Sequence, residues 1–135
     1  MKTRVLDSWP ILEWIKGDNP ATWFMDALFS DAQTGGTKLL LSAINAGEIY
    51  YFLKKIHSPV LAESWRESAR TLPITIEVPN IEDIWSAAGL KGRFAISYAD
   101  AFAAALAQKH NCPLITGDPE FRTVSDLRVE WLTHN

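Results

Sequence analysis

Four carboxylates stand at separated points of the sequence where they could converge on a divalent cation: Asp7, Glu48, Asp100 and Asp118. Hard cations such as Mg²⁺ and Mn²⁺ choose oxygen ligands, and a single acid would hold such an ion poorly. Spacing along the chain does not by itself bring the four acids together. Their convergence depends on the strands and helices that carry them.

Short apolar runs and helical patterns alternate along the whole chain. The apolar runs predict strands at 4–6, 39–41, 74–78, 113–116 and 127–132. Capping residues and prolines predict helices from 9–10, from 19–20 to about 35, and over 42–55, 58–70, 81–88 and 98–110. After Asp118, between the predicted strands at 113–116 and 127–132, a short turn or helix is expected through Phe121. Alternation of this kind predicts a parallel sheet with helices on both faces.

Asp7 and Asp118 both come directly after predicted strands. In parallel sheets, ligands bind beyond the carboxyl ends of the strands, so the architecture places these two acids on the ligand-binding edge. Glu48 and Asp100 lie within predicted helices, and Ser97 can cap the helix that carries Asp100. The two helical acids could reach the same edge.

Each acid has an ordinary structural explanation when it is taken alone. Asp7 resembles a helix cap and Asp100 a capping-box acid. Glu48 could be a solvated helix residue, and Asp118 in Thr-Gly-Asp-Pro a turn former. It is their joint occurrence that favours a metal site.

Three segments together resemble the PIN-domain family, especially VapC-type toxins: VLDS at 5–8, SAINAGEIYYFL at 42–53 and ISYADAFAAALAQKHNCPLITGDPEF at 96–121. The similarity spans nearly the whole chain, and its last segment is the most specific. It implies a single PIN domain over residues 1–135, with a three-layer α/β/α fold and a parallel five-stranded sheet in the order 3-2-1-4-5. The first and fourth strands would then be neighbours.

Carried over position by position, the resemblance implies that Asp7, Glu48, Asp100 and Asp118 are the catalytic ligands of Mg²⁺ or Mn²⁺. It also implies polar residues that support these ligands: Ser8, Asn45 and Thr116. Glu120 matches a position that is frequently acidic, where it either assists a second metal or faces solvent. The sequence departs from the family at Trp9-Pro10, which leaves the pocket rim undefined.

The function implied by the resemblance is that of a metal-dependent endoribonuclease, a hydrolase that acts as the toxin of a type II toxin–antitoxin system. The implied partners are the RNA substrate, a small cognate antitoxin and a second copy of the chain. The alternative is a non-catalytic PIN-like module that binds RNA or protein, which usually lacks one or more of the acids. A receiver domain would instead have adjacent acids after its first strand, where this chain has Asp7-Ser8.

The 135 residues, 47% of them hydrophobic, are enough for one domain with its own core. No membrane span or signal peptide is indicated, so a cytoplasmic location is expected. The net charge of −3 is unusual for a nucleic-acid-binding protein, but cations held by acids would present positive charge to phosphate.

Several other residues receive weaker interpretations. Cys112 is predicted to be a buried small side chain. Lys91, Arg93 and Arg122 are either phosphate contacts or part of a solvated face. Most tryptophans are predicted to lie in the core (Trp14, Trp23, Trp65, Trp85 and Trp131), and Trp9 near the pocket edge is the candidate for base stacking. The three histidines receive no role (His57, His110 and His134).

Overall fold

The computed structural model describes residues 1–132, and His134 lies outside this range. Five strands form one sheet: β1 (Lys2–Leu6), β2 (Thr37–Ser42), β3 (Thr75–Glu77), β4 (Leu114–Thr116) and β5 (Val129–Trp131). All of the strand pairings are parallel, and the order is β3-β2-β1-β4-β5. The predicted α/β fold and strand order are therefore confirmed.

Six α-helices connect the strands: α1 (Ser8–Lys16), α2 (Pro20–Gln33), α3 (Ala43–Phe52), α4 (Pro59–Ser68), α5 (Ile81–Arg93) and α6 (Tyr98–Lys109). A π-helical turn, Leu53–His57, extends α3, and a 3-10 helix, Pro119–Thr123, follows β4. Side-chain caps begin most of the helices, as the sequence predicted. The largest difference in length is at α5, which continues to Arg93 where the sequence predicted an end near Ala88.

Two hydrophobic clusters lie on opposite faces of the sheet. Consecutive residues of a strand point to opposite faces, so Val5 and Leu114 belong to one cluster while Leu6 and Ile115 belong to the other. Helices α5 and α6 cover the first face, and α1 to α4 cover the second. This is the predicted three-layer arrangement, with β1 in the middle strand position.

The predicted burial of most tryptophans is wrong. Only Trp65 is buried, whereas Trp23 and Trp85 are 66% and 63% exposed, and Trp131 is also exposed. Trp14 is half-buried, with its indole N–H donating to Asp26 at 2.9 Å. An amphipathic pattern favours burial of an aromatic residue, but a large ring at the border of the apolar face can still lie on the solvent side of the helix or strand.

The buried face of α2 also differs from the prediction. A spacing of about 3.6 residues per turn predicts one apolar face with Trp23, Phe24, Ala27 and Leu28, but only Leu28 is buried. The helix instead buries Ala21, Met25, Leu28 and Phe29, which also recur at helical spacing. In the next helix, the same spacing predicts that Ile44, Tyr51 and Ile56 share an apolar face, but all three are exposed. The predicted burial of Cys112 is confirmed.

Candidate metal centre

Asp7 lies at the centre of the carboxyl edge of the sheet, directly after β1. Its side chain is 1% exposed, and its Oδ2 accepts a hydrogen bond from the Thr116 hydroxyl at 2.9 Å. The pairing of β1 with β4 brings these residues together, because Leu6 is in register with Ile115. The other carboxylate oxygen of Asp7, Oδ1, is buried and has no hydrogen-bond partner among the described residues.

A tight turn after β4 positions Asp118. The Thr116 hydroxyl oxygen accepts from the Asp118 backbone N–H at 3.0 Å, so Thr116 links Asp118 to Asp7. Asp118 then caps the 3-10 helix by accepting from the backbone N–H of Glu120 at 3.0 Å. Gly117 lies between the two linked residues with no room for a side chain, since a Cβ there would be 2.4 Å from a carbon of the Trp9 ring.

Helix α6 brings Asp100 to the same edge. Ser97 caps the helix by accepting from the Asp100 backbone N–H at 3.1 Å. The alanine-rich body of α6 is buried from Asp100 to Ala107, which allows the helix to pack closely on the sheet. Carboxylate oxygens of Asp100, Asp118 and Glu120 lie within 4.8 Å of one another.

Glu48 approaches from α3 and is connected to the site through Ser8. The Ser8 hydroxyl donates a short hydrogen bond to Glu48 Oε1. Asn45, one turn earlier on α3, is fully buried and donates to the carbonyl of Ala99 at 3.2 Å. This bond ties α3 to the start of α6, so the helices that carry Glu48 and Asp100 are fixed relative to each other.

Burial and mutual repulsion raise the pKa values of the two most buried acids at this edge, Asp7 and Asp100. Burial raises the pKa of Asp7 well above its ordinary value, the Thr116 hydrogen bond opposes this, and the charges of Asp100 and Asp118 add to it. Burial also raises the pKa of Asp100 to about 7, with further contributions from a hydrogen bond to Glu120 and from the charges of Asp118 and Glu48. Without a cation, the site therefore favours protonated carboxyls.

The residues fit a divalent cation. Among residues 1–132, none of the five acids at this edge forms an ion pair with Lys or Arg. The unpartnered Oδ1 of Asp7 and the close oxygens of the three clustered acids form a set of hard, anionic donors of the kind that Mg²⁺ and Mn²⁺ prefer. A bound cation would relieve the repulsion that raises both pKa values.

The structure places the predicted residues in two groups. Asp100, Asp118 and Glu120 form the tightest cluster, although the sequence left Glu120 between site and solvent. Asp7 and Glu48 lie beside this cluster and act on it electrostatically. The predicted supporting residues all bond within the site: Ser8 to Glu48, Asn45 to Ser8 and Thr116 to Asp7.

The sequence analysis missed one contributor, Gly117, and it placed Trp9 at the pocket edge as a candidate for base stacking without predicting that it packs on Gly117. Gly117 is required by close packing, and Trp9 supplies the ring that packs on it. The only signal for this contact in the sequence was an aromatic residue after the first strand and a glycine after the fourth, and using it required the strand order.

Two of the cations considered as phosphate contacts lie over aromatic rings, Arg93 over Phe94 and Arg122 over Trp131.

The parallel strand order β3-β2-β1-β4-β5, with acids at the carboxyl edge, defines an α/β protein with a PIN-type fold and a candidate cation site. A model of the PIN domain matches residues 4–127, and the chain belongs to this family. PIN domains are typically metal-dependent nucleases. A search of curated proteins found no match.

Solved structures of toxin–antitoxin proteins share the fold. VapBC2 from Rickettsia felis, bound to a DNA fragment from its promoter, has a TM-score of 0.76 at 17% identity over 97% of this chain and 99% of that one. VapC20 from Mycobacterium tuberculosis, a sarcin–ricin loop cleaving toxin, has a TM-score of 0.74 at 14% identity over 90% of this chain and 95% of that one. DNA-bound VapBC from Salmonella typhimurium has a TM-score of 0.75 at 16% identity over 96% of this chain and 98% of that one.

These likenesses establish the fold rather than a shared target, because the identities are low. No helix within residues 1–132 is long and apolar enough to cross a membrane.

Proposed function

We propose that this protein is a metal-dependent endoribonuclease and the toxin of a type II toxin–antitoxin pair. The observation that carries the proposal is the cluster of Asp100, Asp118 and Glu120 beside the buried Asp7, whose Oδ1 has no hydrogen-bond partner among the described residues. This cluster lies at the edge where a parallel sheet binds ligands. Asp7, Glu48, Asp100 and Asp118 would hold Mg²⁺ or Mn²⁺, together with Glu120. Family membership supports the nuclease class, and the VapC structures support the toxin type.

The chemistry would be hydrolysis of an RNA phosphodiester, leaving a 5′-phosphate and a 3′-hydroxyl. A bound divalent cation would supply Lewis-acid stabilisation of the developing charge and make water more acidic. The chain itself contributes positioning. Thr116 orients Asp7 and the Asp118 turn, Ser8 fixes Glu48, and Ser97 fixes the first turn of the helix that carries Asp100.

The proposed antitoxin partner is supported by the solved relatives. VapBC2 and the Salmonella typhimurium VapBC are toxin–antitoxin complexes, so we expect a small antitoxin to bind this chain. We expect a second copy to form a homodimer because the chain resembles VapC-type toxins. Large apolar side chains are exposed on α2 and α3, among them Trp23, Phe24 and Tyr51. Exposed apolar surface of this kind is typical of protein interfaces.

The test is cleavage of a mixed RNA pool that includes whole transfer and ribosomal RNA, with Mg²⁺ or Mn²⁺ and with EDTA. Asp100→Asn removes a charge with little change in size, so we expect it to lower the cleavage rate by about 10² or more, as loss of a metal-positioning group does. The matched control is Asp126→Asn, an exposed residue outside the acid cluster, which should cut like the unmodified protein. Folded protein that cuts none of these RNAs would favour the binding-only alternative.

A further inference from the structure

A polar cavity lies at the edge of the sheet opposite the acid cluster, where the strands begin. It has a volume of about 480 Å³ and is lined by residues that include Lys2, Arg4, His110, Arg128 and Glu130. These come from the starts of β1 and β5 and from the end of α6. Two residues of β1, Val5 and Leu6, stand between Arg4, which lines this cavity, and Asp7, so the two sites are roughly 10 Å apart at about 3.3 Å per residue.

The charges that line the cavity are mostly positive. Among the described lining residues, Lys2, Arg4 and Arg128 face a single carboxylate, Glu130, which gives a formal charge of three minus one, or +2. The whole chain carries −3, so the sign at this edge is opposite to that of the molecule. Cys112 also lines the cavity, and burial raises the pKa of its thiol, so it adds no negative charge at neutral pH.

Two of the cations are held in place by the fold. Arg4 is only 17% exposed in its side chain and donates to Glu130 at 2.9 Å and to Thr37 at 3.4 Å. Arg128 donates a short hydrogen bond to the backbone carbonyl of Asn111, whose φ of 49° lies in the left-handed region. Lys2 is exposed and forms no ion pair with any residue in 1–132. Fixed guanidinium groups beside a free ammonium favour binding of a tetrahedral oxyanion.

We propose that this amino-edge cavity is a phosphate-binding site that takes a phosphate of a polynucleotide or of a free nucleotide. Its volume lies within the roughly 300–1,000 Å³ that is typical of small-molecule sites, so it has room for more than one phosphate. Arginine presents a planar fork of donors to phosphate, and lysine a point charge. The site is distinct from the acid cluster and does not depend on the proposed nuclease activity.

The test measures binding in EDTA, where the acid edge repels phosphate and no metal-dependent cleavage takes place. A fluorescently labelled single-stranded RNA is titrated with protein and followed by anisotropy, and inorganic pyrophosphate and ATP are added as competitors. The variant is Lys2→Gln with Arg128→Gln. The matched control is Lys55→Gln with Arg70→Gln, which removes two exposed charges from other parts of the chain.

We expect the first double variant to bind RNA about tenfold more weakly, and the slope of log affinity against log salt to fall by about 1.4, or 0.7 for each lost contact. The control should change affinity less than twofold. Displacement of RNA by ATP or pyrophosphate would show that phosphate alone is recognised, and RNA binding without displacement would assign the site to a polynucleotide backbone. Either result supports the proposal.

Equal weakening in the two double variants, or no binding of any probe by the unmodified protein, would overturn the proposal. Because Arg128 bonds to the backbone of Asn111, its replacement could disturb folding. Thermal denaturation checks this point, and Lys2→Gln alone keeps the test valid, since Lys2 has no ion-pair partner among the described residues to lose. RNA cleavage at the acid edge can fail while this binding succeeds, so the two proposals are tested separately.

Discussion

Asp7 carries a buried oxygen with no hydrogen-bond partner among the described residues. Leaving such a group unpaired costs about 1–3 kcal/mol, and more when the group is charged. The fold nevertheless places it at the end of the central strand, beside Asp100 and Asp118. Metal-free protein therefore carries an electrostatic cost that a bound cation would remove.

This cost makes the stability of metal-free protein depend on pH. The pKa of Asp100 is about 7 in the folded protein, against about 3.9 in an unfolded chain. Folded protein therefore holds the extra proton between these values. The contribution of Asp100 is complete below about pH 4 and is lost as the pH rises through 7. The pKa of Asp7 is raised as well, so its contribution has the same sign.

We expect Asp100→Asn to remove the part of this pH dependence that Asp100 contributes. In EDTA, its free energy of unfolding should exceed that of the unmodified protein by roughly 1–3 kcal/mol at pH 8 and by much less at pH 4. Chemical denaturation at a series of pH values measures the difference. Adding Mn²⁺ at pH 8 should stabilise the unmodified protein more than the variant. A difference that stays constant with pH would contradict the assignment.

Gly117 offers a second prediction at the scale of single residues. A Cβ on Gly117 would lie 2.4 Å from both the Leu132 carbonyl oxygen and the Trp9 ring. Gly117→Ala should therefore destabilise the protein by about 1–3 kcal/mol, as overpacking does. It should also weaken Mn²⁺ binding, because the turn that holds Asp118 must shift. Thermal denaturation and Mn²⁺ titration by electron paramagnetic resonance measure the two effects.

Gly89 provides the control for this substitution. It lies within α5, and a Cβ there would meet nothing within 4 Å. Gly89→Ala should leave Mn²⁺ affinity unchanged and stabilise the helix by about 0.5–1 kcal/mol. If Gly117→Ala behaved like Gly89→Ala, the close packing of Trp9 on the turn would have no effect on the site.

At the scale of elements, a comparison of two helix caps distinguishes an effect on protein stability from an effect on Asp100. Ser97 caps α6, which carries Asp100, while Asn80 caps α5 through a reciprocal capping box with Asp83. Replacing either cap by alanine should cost about 1 kcal/mol. Only Ser97→Ala should also weaken Mn²⁺ binding, since the Ser97 side chain also forms a hydrogen bond with the Asp100 carboxyl that helps to lower its pKa. Equal Mn²⁺ affinities in the two variants would exclude a positioning role for Ser97.

The sequence predicted the order and type of the elements because each begins or ends with a local signal. Ser58-Pro59 and Asn19-Pro20 mark helix starts through short-range hydrogen bonds, and α4 and α2 begin there. The length of α5 could not be predicted in this way, because its last turns, including Leu90, are held by packing against α6. Contacts between segments that are distant in the sequence cannot be predicted from short sequence patterns.

The site shows the same division. Asp7 and Asp118 could be placed on one edge because both follow strands. The closeness of Glu120 to Asp100 and Asp118 could not be predicted, since it depends on the 3-10 turn that Asp118 caps. The Trp9–Gly117 contact was equally hidden, because it joins residues that are adjacent only after β1 and β4 pair.

At the scale of the whole molecule, we propose that the chain unfolds as one domain. The two hydrophobic clusters share the same sheet, and β1 contributes Val5 to one and Leu6 to the other. Neither face can be lost without exposing the strand between them. Tryptophan fluorescence and far-ultraviolet circular dichroism should therefore give coincident urea transitions. Transitions with separate midpoints would indicate two independently stable parts.

The two edges of the sheet carry opposite charge, with acids where the strands end and cations where they begin. These two groups of charges are oriented as an electric dipole along the strands, so we expect the positive edge of one copy to attract the negative edge of the next. Such head-to-tail contacts do not close on themselves and can extend into open chains. The attraction reaches about 30 Å at 0.01 M salt but only about 10 Å at 0.1 M. We therefore expect ionic strength, as well as bound metal, to change the tendency of this protein to self-associate, which light scattering at 0.01 and 0.1 M salt would measure.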